Sequence, residues 1–223
     1  MANPYNVSIS VSAAVANGIA ASQSLGAAGN LTINGSLASG GVATLSSANC
    51  RARRVIITSA GNDSASTWTI TGTDAWGNTQ SEIVAGGNAV VVSSVRDYAT
   101  VTRIRGSGTT ASTVTAGTST VASTEWRVVD IFRENFNLGI ITAVVGSVNY
   151  NVESTNDDPN AAQFGSIAPN SNIPPVATAY PVFLGATTGN NGNFEEPVFA
   201  VRATVNSGTG TLTMQLIQSG IGS

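Results

Sequence analysis

The chain has 223 residues, 42% of them hydrophobic and only 9% charged, with a net charge of −3 and a pI near 4.8. It holds no histidine, one cysteine and no lysine, so all nine basic residues are arginines. These counts exclude Ser/His/Asp and Cys/His catalytic groups, a disulfide within the chain and a CxxC-type zinc site, and the acidic balance argues against nucleic-acid binding through phosphates.

The apolar fraction suffices to fill a core, which leaves Ser, Thr, Asn and Gly to cover the surface. With so few charges, neighbouring molecules repel one another weakly. That suits a protein that packs against copies of itself. The N-terminal Met-Ala-Asn-Pro-Tyr lacks a basic n-region, and no stretch approaches the ~20 apolar residues of a membrane helix. The expectation is a product made and kept in a cytoplasm, with no membrane partner and no cofactor.

Taken in chain order, Tyr5–Val11 alternates apolar and polar residues, as a half-buried strand does. Residues 12–50 are rich in Ala, Gly and Ser, with short strand candidates at 31–33 and 42–45. Small side chains bury little area, so this region is expected to be the least stable on its own. Residues 55–58 read as a buried strand and 59–66 as a turn. A clean alternation at 67–73, a turn at 74–78 and a strand at 79–84 follow. Further strands are expected at 90–92, 98–105 and 112–118, which is the ~8–12-residue spacing of a sandwich or barrel.

Residues 119–135 gather Glu125, Arg127, Asp130, Arg133 and Glu134 around Trp126 and Phe132, and read as a connector with a short helical turn. Strand pairs are expected at 138–145 with 147–152, and at 198–205 with 211–218 around a turn at 206–210. Between these pairs, 153–197 is a long irregular segment holding Asp157-Asp158-Pro159 and most of the prolines; loops of such length are often functional. Segments 98–118 and 198–218 also align at an offset of 100 residues, each reading as strand, Ser-Gly-Thr turn, strand.

The fold class expected is therefore all-β: one or two antiparallel β-sandwich units, jelly-roll or Ig-like, with long irregular loops and little helix. The organisation expected is an extended Ala/Gly/Ser-rich region at 1–50, a β-sandwich unit at 51–120, and a second β-rich unit at 121–223 carrying the Pro-rich loop 153–197.

Few residues suggest chemistry. No phosphate loop or dinucleotide fingerprint is present. The carboxylate pairs Asp157-Asp158 and Glu195-Glu196 are the only enzymatic option, since a glycosidase needs two carboxyl groups flanking a bond. Adjacent acids in turns ordinarily face solvent, and the chain reads as a non-enzyme. The same acids would suit calcium, but Asn156-Asp157-Asp158-Pro159 is more simply an Asx turn entering proline. Cys50 reads as a small buried side chain. Trp68 alternates with Ile70 and belongs to a core, whereas Trp76 sits in a turn and suggests a contact surface. Arg51, Arg53 and Arg54 form the densest basic run, read as a solvated strand edge or a contact with an acidic partner. The candidate partner contacts are thus Trp76, Arg51, Arg53, Arg54, Asp157 and Asp158.

Two stretches resemble structural proteins of tailed bacteriophage particles. One is Arg53-Arg54-Val55-Ile56-Ile57-Thr58-Ser59-Ala60-Gly61-Asn62-Asp63-Ser64 with Thr69-Ile70-Thr71-Gly72-Thr73-Asp74-Ala75-Trp76-Gly77-Asn78, followed by the acidic strand Gln80-Ser81-Glu82-Ile83-Val84. The other is Pro197-Val198-Phe199-Ala200-Val201-Arg202 through Gly208-Thr209-Gly210-Thr211. Together they cover roughly a third of the chain. The resemblance implies a β-sandwich component of the virion and carries over no catalytic residues. The expected role is a capsid decoration or cement protein that associates with itself and with the major capsid protein, trimers being common in such roles. The alternatives are a tail, neck or fibre component, and a carbohydrate- or receptor-binding module using Trp76.

Overall fold

A computed structural model describes residues 4–46, 52–130, 136–157 and 178–218. Strands β1 (Tyr5–Val11) and β2 (Val15–Gln23) lead into three short ones, β3 (Gly29–Asn30), β4 (Ala38–Ser39) and β5 (Val42–Thr44). There follow β6 (Ala52–Ser59), β7 (Thr67–Thr73), β8 (Thr79–Ala85), β9 (Val91–Tyr98), β10 (Thr100–Gly106) and β11 (Val114–Ser123). After the short β12 (Arg127–Val128) come β13 (Leu138–Thr155), β14 (Thr178–Ala179), a single 3-10 turn at Pro181–Phe183, β15 (Asn191–Phe194) and β16 (Ala200–Gln218).

The protein is all-β and sandwich-like, and its two sheets are antiparallel. The larger runs β14-β13-β16-β11-β6-β9, with β1 and β12 added to β16, β2 to β11 and β15 to β13. The smaller runs β4-β5-β10-β7-β8, with β3 added to β10. In β7 the period-2 pattern sends Trp68 and Ile70 inward, where both are almost fully buried. There they meet Ile19, Val55, Ile57, Tyr98, Val101, Ile104 and Val114 in the core between the small sheet and one half of the large one. A second core lies on the other half. Ile9, Leu138, Ile140, Tyr150, Leu212 and Met214 pack there with Phe183 and Phe194. Each fully buried side chain of this size contributes roughly 1.5–3 kcal/mol.

The two halves of the large sheet meet where β11 changes partners. Its residues Val114, Ala116 and Thr118 pair with both β6 and β2, whereas Ala122 and Ser123 pair with β6 and β16. β1 meanwhile pairs with the far end of β16, from Gly210 to Leu216. The sheet therefore forks between β11 and β16, and the chain turns from β1 into β2 at the fork. Arg53 closes it. Its guanidinium donates to Ser12 Oγ (3.1 Å), to the carbonyls of Ser12 (3.0 Å) and Ala13 (3.2 Å), and to that of Ser119 in the β11 irregularity.

Several local expectations change. Residues 138–155 are not a strand pair but the single strand β13, and 200–218 are likewise the single strand β16. The two pair along their whole length. Gly146, Gly208 and Gly210 adopt positive φ (93°, 96° and 148°) without reversing the chain, because each strand keeps the other as its partner through the irregularity at Asn149–Tyr150. The 100-residue repeat dissolves for the same reason: β10 and β11 lie in different sheets, and its other copy is one strand. Residues 15–23, expected to be weakly structured, form a nine-residue strand that buries Ile19 and Ala20 completely. The 31–33 candidate lies just outside β3, and Tyr98 ends β9 instead of opening the next strand. β11 runs into the connector expected at 119–135, which also holds a short strand at Arg127–Val128; residues 131–135, with Phe132, Arg133 and Glu134, lie outside the described residues. The irregular segment begins after Thr155, not at 153.

Candidate functional site

The β7–β8 turn is built on Asp74. Its Oδ1 accepts the backbone N–H groups of Trp76 and Asn78, both at 2.9 Å, and its carbonyl accepts Gly77 N–H at 3.1 Å. Gly77 takes the positive φ (87°) that closes such a turn. The result is a hydrogen-bonded turn that holds Trp76 outward, with 38% of its surface exposed.

Facing it are the start of β1 and the connector between β11 and β12. Tyr5, Trp76, Glu125, Trp126, Arg127 and Val128 line one cleft of about 310 Å³. Tyr5 Oη donates to Glu125 Oε1 at 2.8 Å, and the Arg127 guanidinium lies 4.6 Å from the centre of the Tyr5 ring. Trp126 is nearly buried and forms part of the wall. Behind it, the Arg202 guanidinium stands 4.6 Å from its ring centre. Arg202 is fixed in turn by Nε donating to Glu153 Oε2 at 2.8 Å, and Thr204 Oγ1 donates to the other oxygen at 3.2 Å. In a chain with few charges, aromatic rings, carboxylates and guanidinium groups converge at this place. Such a site stacks on flat apolar surfaces and hydrogen-bonds at their rims.

A second surface is notable for the opposite reason. On the outer face of β1, β16 and β13, rows run across the strands: Asn6–Gln215–Ile141, Ser8–Thr213–Ala143 and Ser10–Thr211–Val145. The hydroxyls of Ser8 and Thr213 are 3.0 Å apart, and those of Ser10 and Thr211 are 2.9 Å apart. None of these nine residues is charged. Ile141 and Val145 stand exposed at 47% and 72%.

The residues singled out from the sequence are scattered. Trp76 lines the cleft. Arg53 is only 5% exposed, which corrects the reading of a solvated edge: β6 lies between β11 and β9, and its inward positions point into the fork. Arg54, on the opposite face of the same strand, is half-buried, its Nε 3.4 Å from Asp97 Oδ1. Asp157 lies in the bend after β13, where its N–H donates to Thr155 Oγ1 at 3.0 Å. Arg51, Asp158 and Cys50 lie outside the described residues. Glu195 and Glu196 are both exposed. Among the described residues, no three acidic or cysteine side chains gather as a metal site would require. The cleft residues Tyr5, Glu125 and Arg127 were missed as a site. The charge density around Trp126 was the one available signal, and nothing local ties it to Tyr5 or Trp76.

Comparison with protein-family models, curated proteins and solved structures finds no match to this chain.

Proposed function

We propose that the protein is a non-enzymatic structural subunit of a tailed-phage particle, a decoration or cement protein that stabilises the head by self-association and by contacts with capsid subunits. The observation that carries this reading is the uncharged outer face of β1, β16 and β13. A broad, regular surface of hydroxyls, amides and exposed β-branched side chains has little electrostatic reason to stay solvated as a monomer, and it suits a polar, shape-complementary interface. Ile83, Val91 and Val95, exposed on the edge strands β8 and β9, add apolar contact area. Many copies on one lattice turn weak contacts into avidity. The resemblance of the 53–84 and 197–211 stretches to virion proteins supplies the context.

The test is co-sedimentation of the protein with expanded, empty heads that carry no tails, followed by imaging of the intact particle. Binding that Val145→Glu abolishes supports decoration. Co-purification with tails alone rejects decoration in favour of a tail, neck or fibre role.

A further inference from the structure

We propose that the cleft between Trp76 and the β11–β12 connector is a glycan-binding site that takes a hexopyranose unit of a polysaccharide. This goes beyond the assembly reading, which rests on a different face of the protein.

Three observations converge. The first is Trp76 itself. Tryptophan is highly buried on average, yet Trp76 is exposed on a turn pinned by two hydrogen bonds to one carboxylate oxygen. A turn whose backbone is fixed before binding loses little freedom when a ligand stacks on the ring it presents. The second is the shape and chemistry of the opposite wall, where Tyr5 and Trp126 add aromatic surface around a cleft of about 310 Å³. That volume falls at the lower end of the roughly 300–1,000 Å³ range of small-molecule sites. A pyranose offers an apolar face of C–H groups, weakly positive against the negative face of an indole, and a rim of hydroxyls. The third is the placement of polar groups at the edge of the rings. Arg127 is exposed beside Tyr5, and Glu125 sits where its carboxylate accepts from Tyr5. The guanidinium donates to sugar hydroxyls, and the Glu125 carboxylate orients the Tyr5 hydroxyl beside it. A purely hydrophobic occupant would strip water from the exposed Arg127 guanidinium without replacing it.

The experiment passes the full chain over amylose, dextran, chitin and hyaluronan resins and follows tryptophan fluorescence during titration with the soluble polysaccharides. Retardation on at least one resin is expected, with a shift in emission. Trp76→Ala should weaken it about tenfold or more, the change expected from losing one aromatic platform worth about 1.4 kcal/mol. Trp76→Phe should retain part of the binding, and Arg127→Ala should weaken it without altering the fold. Retention on none of the four resins overturns the proposal, as does retention that Trp76→Ala leaves unchanged. Loss of a protein contact in Trp76→Ala without any glycan binding would assign the cleft to a protein partner instead. Binding of Trp76→Ala to empty heads should stay at the level of the unaltered chain, so failure of the glycan site and failure of the assembly role give different results.

Discussion

Gly146 on β13 lies directly opposite Gly210 on β16, and both hold positive φ, 93° and 148°. Two residues along, Gly208 pairs with Val148 at φ 96°. A Cβ at Gly208 would lie 2.0 Å from the Ser147 carbonyl oxygen, and one at Gly210 would lie 2.3 Å from that of Val145. The two longest strands therefore stay paired through an irregular stretch that only glycine permits.

Gly208→Val is accordingly expected to destabilise the protein by about 2 kcal/mol or more, since it combines a strained backbone with a backbone clash. Gly26→Ala is the control. It meets nothing within 4 Å and should change stability by less than about 1 kcal/mol. Urea midpoints of the two variants provide the comparison.

Arg53 and Arg54 are adjacent but should differ in how much each contributes to stability. Arg53→Ala leaves three carbonyls at the fork without their donor and is expected to cost about 3 kcal/mol or more. Arg53→Lys should not retain that stability, because one ammonium cannot reproduce the fork of guanidinium donors. Arg54→Ala leaves the nearly buried Asp97 carboxylate without the guanidinium beside it and should cost about 1–2 kcal/mol, less than Arg53→Ala because Arg54 itself is partly exposed. Equilibrium unfolding of the three variants checks the order.

Glu82 bridges the edges of the two sheets: its Oε2 accepts the N–H groups of Val95 (3.3 Å) and Arg96 (3.2 Å). Burial pushes its carboxyl above the ordinary value of 4.5, outweighing those two hydrogen bonds and the Arg96 charge, which favour the ionised form. The folded state thus holds its proton more tightly than the unfolded state does. Stability from this group is fully present below 4.5 and declines as pH rises through the raised folded value. Glu82→Gln should remove that decline and leave the protein relatively more stable at neutral pH. Denaturation midpoints measured from pH 4 to pH 8 test the sign.

Tyr150 Oη donates to the Thr188 carbonyl at 2.8 Å and lies 2.6 Å from Thr142 Oγ1, inside the second core. Thr142 Oγ1 in turn accepts Asn190 N–H at 2.9 Å. This chain ties the segment after the 3-10 turn to β13. Tyr150→Phe is expected to cost about 1–2 kcal/mol and to raise the rate of proteolytic cleavage near 184–190, measured on the folded protein.

Where the amino-acid pattern was local, it was legible. The alternation of Thr67–Thr73 placed Trp68 in the core, and Asp74 with Gly77 placed the turn that presents Trp76. Both depend on interactions within a few residues, so composition and spacing carry them. The pairs at 138–152 and 198–218 were misread because Gly in a strand signals a turn and a bulge equally well. What decided between them is a partner strand that begins 45 residues after the first one ends.

The sequence alone therefore determined the class of the fold: period-2 alternation and turn residues at short intervals leave an antiparallel β architecture. It also determined the sparsely charged character of the surface. The tertiary structure decided which strands are neighbours, and with that everything that depends on neighbours. It buried Arg53 by giving β6 a partner on each side. It joined Tyr5 to Glu125, 120 residues apart, and set Trp76 across from them. Hydrogen-bond ladders are satisfied by any strand of matching register, so pairing is settled only when burial of the two cores selects one arrangement from the many that local pattern allows.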